Sequence, residues 1–462
     1  MLLVAPVRSF GRRLRQSWQA EEALRSRLVN VGHLLTGNLA SSIVGMLSFV
    51  ITARALGATD YGILALTYSY TRAVGWLFGS QSWQPLIKYG AELTGQEHHD
   101  DYRSLLKFGL VVDVLAAALS YVAAVGAALL FGDLAGIRGD TLNQVLIYST
   151  ALLFQINGLP TAILRLAGRF RLVAYSSVIG GVVRLVLCAA GLLAGWGLMF
   201  FVIAWAFSQI VGSIALLVLA LIEARRQGVR RLLSAPLAGI RKRFDGLLRF
   251  TIGSNLELTI RSSANEFDTL LVGLLTDAAG AGFYHIAKRL GRLMLQIGVQ
   301  VQAVVYPDAA RLWAQGAVDE FRRTVFQTAV MLALFGAVMV VGTIVAVGPF
   351  LNLTIGAEFA AAAPLAIVQM IAVAITLTGS AHRTALLAMG KQPTVLKIVL
   401  VVTLLFHATA IATIPFIGAM GANVAHVVMA IAWSVALLQA YRAVLAEPAD
   451  ALGPAAEKLP AE

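Results

Sequence analysis

The sequence predicts an all-α polytopic membrane protein with about 12 transmembrane helices. Hydrophobic residues make up 58% of the 462 residues and charged residues only 13%, and the mean hydropathy is +0.79. A water-soluble protein of that composition would have too little polar surface to cover its core. The lengths of the apolar stretches and the distribution of Lys and Arg indicate the same class.

Twelve apolar stretches are each near the roughly 20 residues that a helix needs to cross a bilayer. In chain order they are 31–53, 61–80, 105–131, 141–164, 173–194, 197–222, 247–275, 279–305, 325–348, 361–382, 394–414 and 421–442. Because the number is even, both termini lie on the same side of the membrane.

The distribution of basic residues predicts that this side is the cytoplasm. Of the 36 Lys and Arg, 28 lie in or at the edge of the predicted cytoplasmic segments, and only Arg54 and Arg138 lie in predicted outer loops. Short cytoplasmic loops accumulate Lys and Arg, whereas short outer loops do not. The net charge of +12 follows from this rule, so we predict no nucleic-acid partner.

A basic loop divides the chain into two halves that resemble each other. Near the start of each half, Gly37-Asn38-Leu39 matches Gly253-Ser254-Asn255-Leu256. A second match pairs Tyr61-Gly62-Ile63-Leu64-Ala65 with Ala281-Gly282-Phe283-Tyr284-His285, at an offset of 220 residues, which places Arg72 on Arg292. Six spans per copy predict two lobes related by a pseudo-two-fold axis along the membrane normal. The predicted divisions are a basic cytoplasmic segment (1–30), an N-terminal six-helix lobe (31–222), a basic linker (223–246), a C-terminal six-helix lobe (247–442) and a cytoplasmic tail (443–462).

The remaining six cations lie inside predicted spans. They are Arg72, Arg184, Arg261, Lys288, Arg289 and Arg292. A charge at the centre of a membrane helix costs about 2.5–3.5 kcal/mol on insertion scales, so these side chains are expected to face a cavity and not lipid. In the second span, Tyr68 and Trp76 share a helix face with Arg72.

Some of these cations also have a structural interpretation. Glu257 and Arg261 are one helical turn apart, and an ion pair between them explains their presence as well as a direct role in transport does. Lys288 and Arg289 lie near the outer third of their span and could extend toward the interface. Arg165, near a cytoplasmic end, is better explained as an orientation signal.

Four intramembrane carboxylates are candidates for binding a coupling ion, namely Glu257, Asp268, Glu266 and Asp113. Their presence does not distinguish protons, sodium ions and membrane potential as the energy source. The sequence has no nucleotide-binding motif of the G-x-x-x-x-G-K-[ST] type, no metal-ligand spacing among its histidines, and a lone Cys188. We therefore predict neither a metal site nor a cofactor.

Two segments carry a resemblance to a known family. The first is GNLASSIVGMLSFVITARALGATDYGILAL (37–66), and the second runs from Asp268 through Phe283-Tyr284-His285-Ile286-Ala287. Both resemble the oligosaccharide flippases of the polysaccharide transport group, within the multidrug/oligosaccharidyl-lipid/polysaccharide exporter superfamily. The similarity extends over almost the whole chain.

The resemblance implies a bacterial inner-membrane flippase, not an enzyme. Its cargo would be an undecaprenyl diphosphate-linked oligosaccharide for surface polysaccharide synthesis, moved by alternating access, with membrane lipids and a polysaccharide polymerase complex as partners. A diphosphate suits Arg and Lys side chains. We therefore expect Arg72 and Arg292 to bind the diphosphate, with Arg184, Arg261 and Lys288 as supporting cations. We expect the rings of Tyr68 and Trp76 to contact the sugars.

Three alternatives remain open at the level of sequence. A multidrug or cation antiporter of the same superfamily would be expected to have an acidic cavity. A peptidoglycan-precursor flippase would be expected to carry two further C-terminal helices. A membrane-embedded glycan polymerase or ligase is expected to use a large outer loop with paired acidic residues, whereas the predicted outer loops are short.

Overall fold

The computed structural model describes residues 5–80, 82–93, 99–132, 137–229 and 231–446. This part of the chain is helical and contains no strand. The N-terminal half comprises α1 (Ala5–Phe78), α2 (Trp83–Gly90), α3 (His99–Phe131), α4 (Asp140–Ser149), α5 (Gly158–Leu166), α6 (Phe170–Ala194), α7 (Leu198–Arg226) and α8 (Ile240–Arg243). The C-terminal half comprises α9 (Leu247–Glu266), α10 (Asp268–Leu275), α11 (Ala278–Ala314), α12 (Val318–Thr354), α13 (Ala362–Ala388), α14 (Gln392–Ile417) and α15 (Ala419–Ala446).

Each of the twelve apolar stretches coincides with helical structure, but two of the predicted spans are interrupted. The stretch 141–164 consists of α4, a 3₁₀ turn at Thr150–Phe154 and α5. The stretch 247–275 is divided between α9 and α10 at Phe267. After the stretch 61–80, a break leads into a further helix, α2.

The long helix α1 turns at Gly57, which has φ 72° and ψ 177°. Only glycine adopts this backbone conformation without strain. The turn separates a first arm (5–56) from a second arm (58–78), as the sequence predicted for two spans joined by a short loop.

Nine helical segments in the described part of the chain are long and apolar enough to cross a membrane. The first, Ala40–Gly90, contains the turn at Gly57. Helices α9, α10 and α11 are not among these nine segments. Helix α11 carries three cations, Lys288, Arg289 and Arg292, which lower its hydropathy. The full count of twelve spans in two lobes therefore stays a prediction.

The two halves meet where α1 packs against α11. Here Gly62 lies so close to the start of α11 that a Cβ atom on Gly62 would be 1.8 Å from the Ala278 carbonyl oxygen. A Cβ atom on Gly282, which is 220 residues after Gly62, would be 3.0 Å from the Gly62 Cα. The residues matched by the sequence repeat thus contact each other directly.

This contact predicts that Gly62→Ala destabilises the protein. The added methyl group would meet backbone, which has no side-chain rotation to relieve the clash, so we expect the midpoint of thermal unfolding in detergent to fall by about 1–3 °C. Gly342→Ala is the matched control, because a Cβ atom there meets nothing within 4 Å. Equal midpoints for the two variants would contradict the close approach of α1 and α11.

Candidate functional site

The centre of the candidate site is a carboxylate shared by two arginines. Glu266, the last residue of α9, accepts hydrogen bonds from Arg72 Nε and Arg72 Nη2, each at 3.1 Å. Arg292 Nη2 lies 3.6 Å from the same carboxylate. The Arg72 and Arg292 side chains are 33% and 38% exposed, whereas that of Glu266 is 9% exposed. Two positive charges therefore meet one negative charge at a place that is still partly accessible.

Tyr68 lies one helical turn before Arg72 and contributes to the position of its guanidinium group. The Tyr68 hydroxyl accepts a hydrogen bond from Arg72 Nη1 at 3.2 Å, and the guanidinium carbon is 5.7 Å from the centre of the tyrosine ring. The ring makes edge contacts with Trp205, Tyr148 and His285. Its aromatic face is consequently occupied by protein packing, and its hydroxyl orients Arg72.

A second pair of guanidinium groups lies near Gly45 on the first arm of α1. Arg289 Nη2 donates to the Gly45 carbonyl oxygen at 2.5 Å, and the Arg289 guanidinium lies over the ring of Phe49 at 5.4 Å. Arg184 lies over Trp205 at 5.1 Å. A Cβ atom on Gly45 would be 2.9 Å from Arg289 Nη2 and 3.8 Å from Arg184 Nη2. The glycine therefore leaves room for both groups.

Neither member of this second pair forms an ion pair with a carboxylate in the described part of the chain. The Nε atom of Arg184 is buried without a hydrogen-bond partner there. A buried guanidinium that lacks a counter-ion is costly. The Arg184 and Arg289 pair therefore adds positive charge to the membrane interior beyond that at Glu266.

Asp268 forms a separate buried cluster on the other side of the break at Phe267. It pairs with Lys288, accepts a hydrogen bond from the Tyr284 hydroxyl at 2.8 Å and lies 3.1 Å from His426 Nε2. Asp268 and Tyr284 are 0% exposed, and His426 and Lys288 are at most 6% exposed. This cluster connects α10, α11 and α15. Its burial is suited to holding these helices together and not to direct contact with a large cargo.

Asp113 lies on α3 and is 2% exposed. One of its carboxylate oxygens accepts a hydrogen bond from the backbone N–H of Leu159, in the first turn of α5, at 2.7 Å. A carboxylate at the N-terminus of a helix satisfies N–H groups that have no partner within the helix and interacts favourably with the helix dipole. Asp113 therefore stabilises the beginning of α5, which follows the interruption of the helix at 155–157.

A cavity of about 390 Å³ adjoins Arg72 and is enclosed by residues of the N-terminal half. Breaks in two helical segments border it, one at Gly79–Ser80 and one at 155–157. Its polar wall includes Gln155, Asn157 and Gln209, and its basic and aromatic wall includes Arg72, Arg165, Trp76 and Trp83. Irregular backbone at membrane depth is tolerated where it is buried in protein or lines a cavity.

The structure thus brings together only part of the predicted site. Arg72 and Arg292 meet at Glu266, Tyr68 is hydrogen-bonded to Arg72, and Trp76 lines the adjoining cavity. Arg184 belongs to the second cationic pair, and Lys288 is bound to Asp268. The side chains of Glu257 and Arg261 lie outside the described residues. The roles assigned to these residues stay predictions.

Sequence analysis did not select two cations that the structure places at internal surfaces, Arg289 and Arg165. Arg289 shares a helix face with Arg292 in the sequence pattern, but its position near the outer third of the predicted span favoured an extension toward the interface. Arg165 follows Asn157-Gly158 and Pro160, whose capacity to interrupt a helix could have indicated a break with a polar lining. Both had been interpreted by their distance from a predicted membrane interface.

Two solved structures of membrane proteins have the same helical fold as this chain. A multidrug resistance MATE family transporter of the MOP superfamily, in an inward-facing conformation, superposes with a TM-score of 0.69 at 14% identity, covering 88% of this chain and 96% of the transporter. The lipid II flippase MurJ superposes with a TM-score of 0.66 at 16% identity, covering 88% of this chain and 87% of the flippase. These similarities define the fold as that of MOP-superfamily transporters.

The model of a family described as polysaccharide biosynthesis protein matches residues 28–313, more than half of the chain. The chain belongs to this family. The inner membrane protein YghQ of Escherichia coli (strain K12) is 24% identical over 274 residues, which cover 58% of this chain and 76% of that protein. The part of the chain that the structure describes thus combines nine helical segments able to cross a membrane with the fold of the compared transporter and flippase.

The buried cluster around Asp268 predicts that Lys288→Ala destabilises the protein by about 3–5 kcal/mol, because the change leaves a buried carboxylate without its cation. Replacing both partners, Asp268→Leu with Lys288→Met, should destabilise less than the single change. Thermal unfolding of the purified variants would measure both effects. Lys397→Ala is the control, because Lys397 is exposed. A double variant less stable than Lys288→Ala would contradict the pairing.

Proposed function

We propose that this protein is a flippase that translocates an undecaprenyl diphosphate-linked oligosaccharide across the cytoplasmic membrane by alternating access. The product would serve the synthesis of a surface polysaccharide, namely an O-antigen, a capsule or an exopolysaccharide. The observation that carries the proposal is the partly exposed pair of guanidinium groups, Arg72 and Arg292, which share the single carboxylate of Glu266.

The net charge of the interior favours an anionic cargo. Arg72, Arg292, Arg184 and Arg289 carry four positive charges, and Glu266 is the carboxylate paired with them in the described part of the chain. A diphosphate presents several oxygen acceptors, and Arg binds such groups through two parallel charge-assisted hydrogen bonds. An organic cation would be repelled by the same groups, which argues against the cation-antiporter alternative.

Glu266 would act as a counter-ion that the cargo replaces. In the absence of cargo, it partly compensates the charge of Arg72 and Arg292 and limits the cost of placing them inside the membrane. An arriving diphosphate would make the same charge-assisted contacts and displace the carboxylate. Return of Glu266 would then favour release, so that binding is reversible on both sides of the membrane.

The carboxylates predicted as coupling-ion candidates differ in how fully they are engaged by neighbouring groups. Asp113 is engaged at the start of α5 and Asp268 is engaged by Lys288, Tyr284 and His426. Glu266 is the one whose partners would change with cargo binding, so we propose Glu266 as the carboxylate that links cargo to the conformational cycle. Glu257 remains a candidate on the basis of sequence.

A reconstituted translocation assay tests the proposed function. In proteoliposomes with a labelled undecaprenyl diphosphate oligosaccharide, Arg72→Ala and Arg292→Ala should each reduce translocation by about ten- to a hundred-fold, the loss expected for charge-assisted hydrogen bonds. Arg72→Lys should retain more activity than Arg72→Ala, because it keeps the charge. Arg54→Ala is the matched control, since Arg54 is exposed. Efflux of a small organic cation without lipid translocation would overturn the proposal.

A change at the counter-ion should separate binding from turnover. Glu266→Gln removes the competing negative charge, so binding of the lipid diphosphate should tighten by about ten-fold while translocation slows. Equilibrium binding in nanodiscs and the proteoliposome assay would measure the two quantities. Glu320→Gln, at an exposed position, should change neither. Weaker binding in Glu266→Gln would contradict the displacement of Glu266 by cargo.

A further inference from the structure

We infer that the cavity in the N-terminal half is a second subsite, which binds the sugar nearest the diphosphate and selects among glycans. This inference rests on the proposed function and extends it from the diphosphate to the glycan. It depends on the position of the cavity, the composition of its wall and an incompletely satisfied arginine within it.

The position of the cavity follows from Arg72. This residue both holds Glu266 and forms part of the cavity wall. A diphosphate bound by Arg72 would consequently have its attached sugar next to the cavity entrance. The volume of about 390 Å³ falls at the smaller end of the range of ligand-binding pockets, about 300–1,000 Å³, and is therefore suited to a compact group and not to a long glycan.

The wall of the cavity provides the two kinds of contact that a sugar ring requires. The indole ring of Trp76 supplies an apolar surface for the C–H groups of the sugar ring, and Trp83 lines the cavity beside the Arg165 guanidinium. The side-chain amides of Gln155, Asn157 and Gln209 supply both donors and acceptors for hydroxyl groups. This combination distinguishes the cavity from the cationic centre, where ionic contacts predominate.

Arg165 adds a directed hydrogen-bonding group. Its guanidinium lies over the ring of Trp83 at 4.5 Å, and its Nε atom is buried without a hydrogen-bond partner in the described part of the chain. Stacking on an indole fixes the plane of the guanidinium. Arg165 is only partly buried and lines the cavity, so its terminal guanidinium N–H groups would donate to an acceptor on the ligand, such as a sugar hydroxyl, an acetamido oxygen or a carboxylate.

The geometry of the helix breaks keeps this cavity open. At Gly158 a Cβ atom would be 2.2 Å from Ser82 Oγ and 2.8 Å from an Asp113 oxygen. At Gly75 a Cβ atom would be 3.2 Å from the Gln155 side-chain oxygen. Larger residues at either place would disturb the two breaks that border the space. The two glycines therefore allow side chains at the breaks to lie close to the neighbouring helices, which fixes the border of the cavity.

A binding experiment with and without the sugar tests this subsite separately from the diphosphate site. Full-length protein in nanodiscs would be titrated with undecaprenyl diphosphate and with its N-acetylglucosamine, N-acetylgalactosamine and glucose conjugates. For the wild type, at least one sugar should tighten binding relative to undecaprenyl diphosphate alone. In Trp83→Ala and in Arg165→Ala, the affinity for that sugar conjugate should fall by about ten-fold, while the affinity for undecaprenyl diphosphate changes by less than about two-fold.

Matched variants make the result specific. Trp196→Ala and Arg225→Ala alter exposed residues of the same types and should preserve the gain from the sugar. Trp83→Phe and Arg165→Lys retain a ring and a charge, so they should lose less of the gain, and they extend the test if either alanine variant fails to fold. A photoreactive group on the first sugar should label peptides that contain residues 76–83 or 155–165.

The outcomes distinguish the subsite from the function on which it rests. The sugar subsite is overturned if the alanine variants weaken binding of undecaprenyl diphosphate and of its sugar conjugates equally. It is also overturned if no conjugate binds to the wild type more tightly than undecaprenyl diphosphate. In both cases the diphosphate site stands. If the wild type binds none of the four lipids, the proposed function fails and the subsite fails with it. Photolabelling confined to α11 would also overturn the subsite.

Discussion

The contact between Glu266 and the arginines of two other helices is the interaction on which the polar interior depends. Two guanidinium groups inside a membrane protein repel each other strongly where the dielectric constant is low. A shared carboxylate reduces this cost, and its second oxygen holds Arg72 in a defined orientation. Because the compensation is incomplete, the place remains attractive to an anion. The same contact therefore accounts for the tolerance of these charges and underlies the anionic cargo that we propose.

Interruptions of the helices determine where these charged groups and the cavity lie. Glu266 and Asp268 flank the break between α9 and α10, and the first is directed to Arg72 and Arg292 while the second is directed to Lys288. Two neighbouring carboxylates thereby stabilise cations that differ in exposure. In the N-terminal half, the breaks at Gly79–Ser80 and at 155–157 border the cavity. Interruption of helices thus produces both the charged centre and the cavity beside it.

The position of helices could be predicted well, and their interruptions less well. Apolar length and the distribution of Lys and Arg reflect the free energy of transfer into lipid, which acts on each segment largely by itself. The same averaging over about 20 residues conceals a local break, so the end of α4 and the division at Phe267 were not anticipated. Helix α2 lies in a stretch that the sequence assigned to a cytoplasmic loop, although it follows closely on the break at Gly79–Ser80.

The candidate site shows the same limit at the level of single residues. The internal repeat related Arg72 to Arg292, and the intramembrane charges indicated an interior surface. The partner of Arg72, however, lies 194 residues away, and Lys288 and Arg289, adjacent in sequence, contact entirely different groups. Sequence by itself determined the class of protein and the presence of a cationic interior, because hydrophobic transfer and helical periodicity are local. Only the tertiary structure decided which charges compensate each other, because that depends on distances between helices remote in the chain.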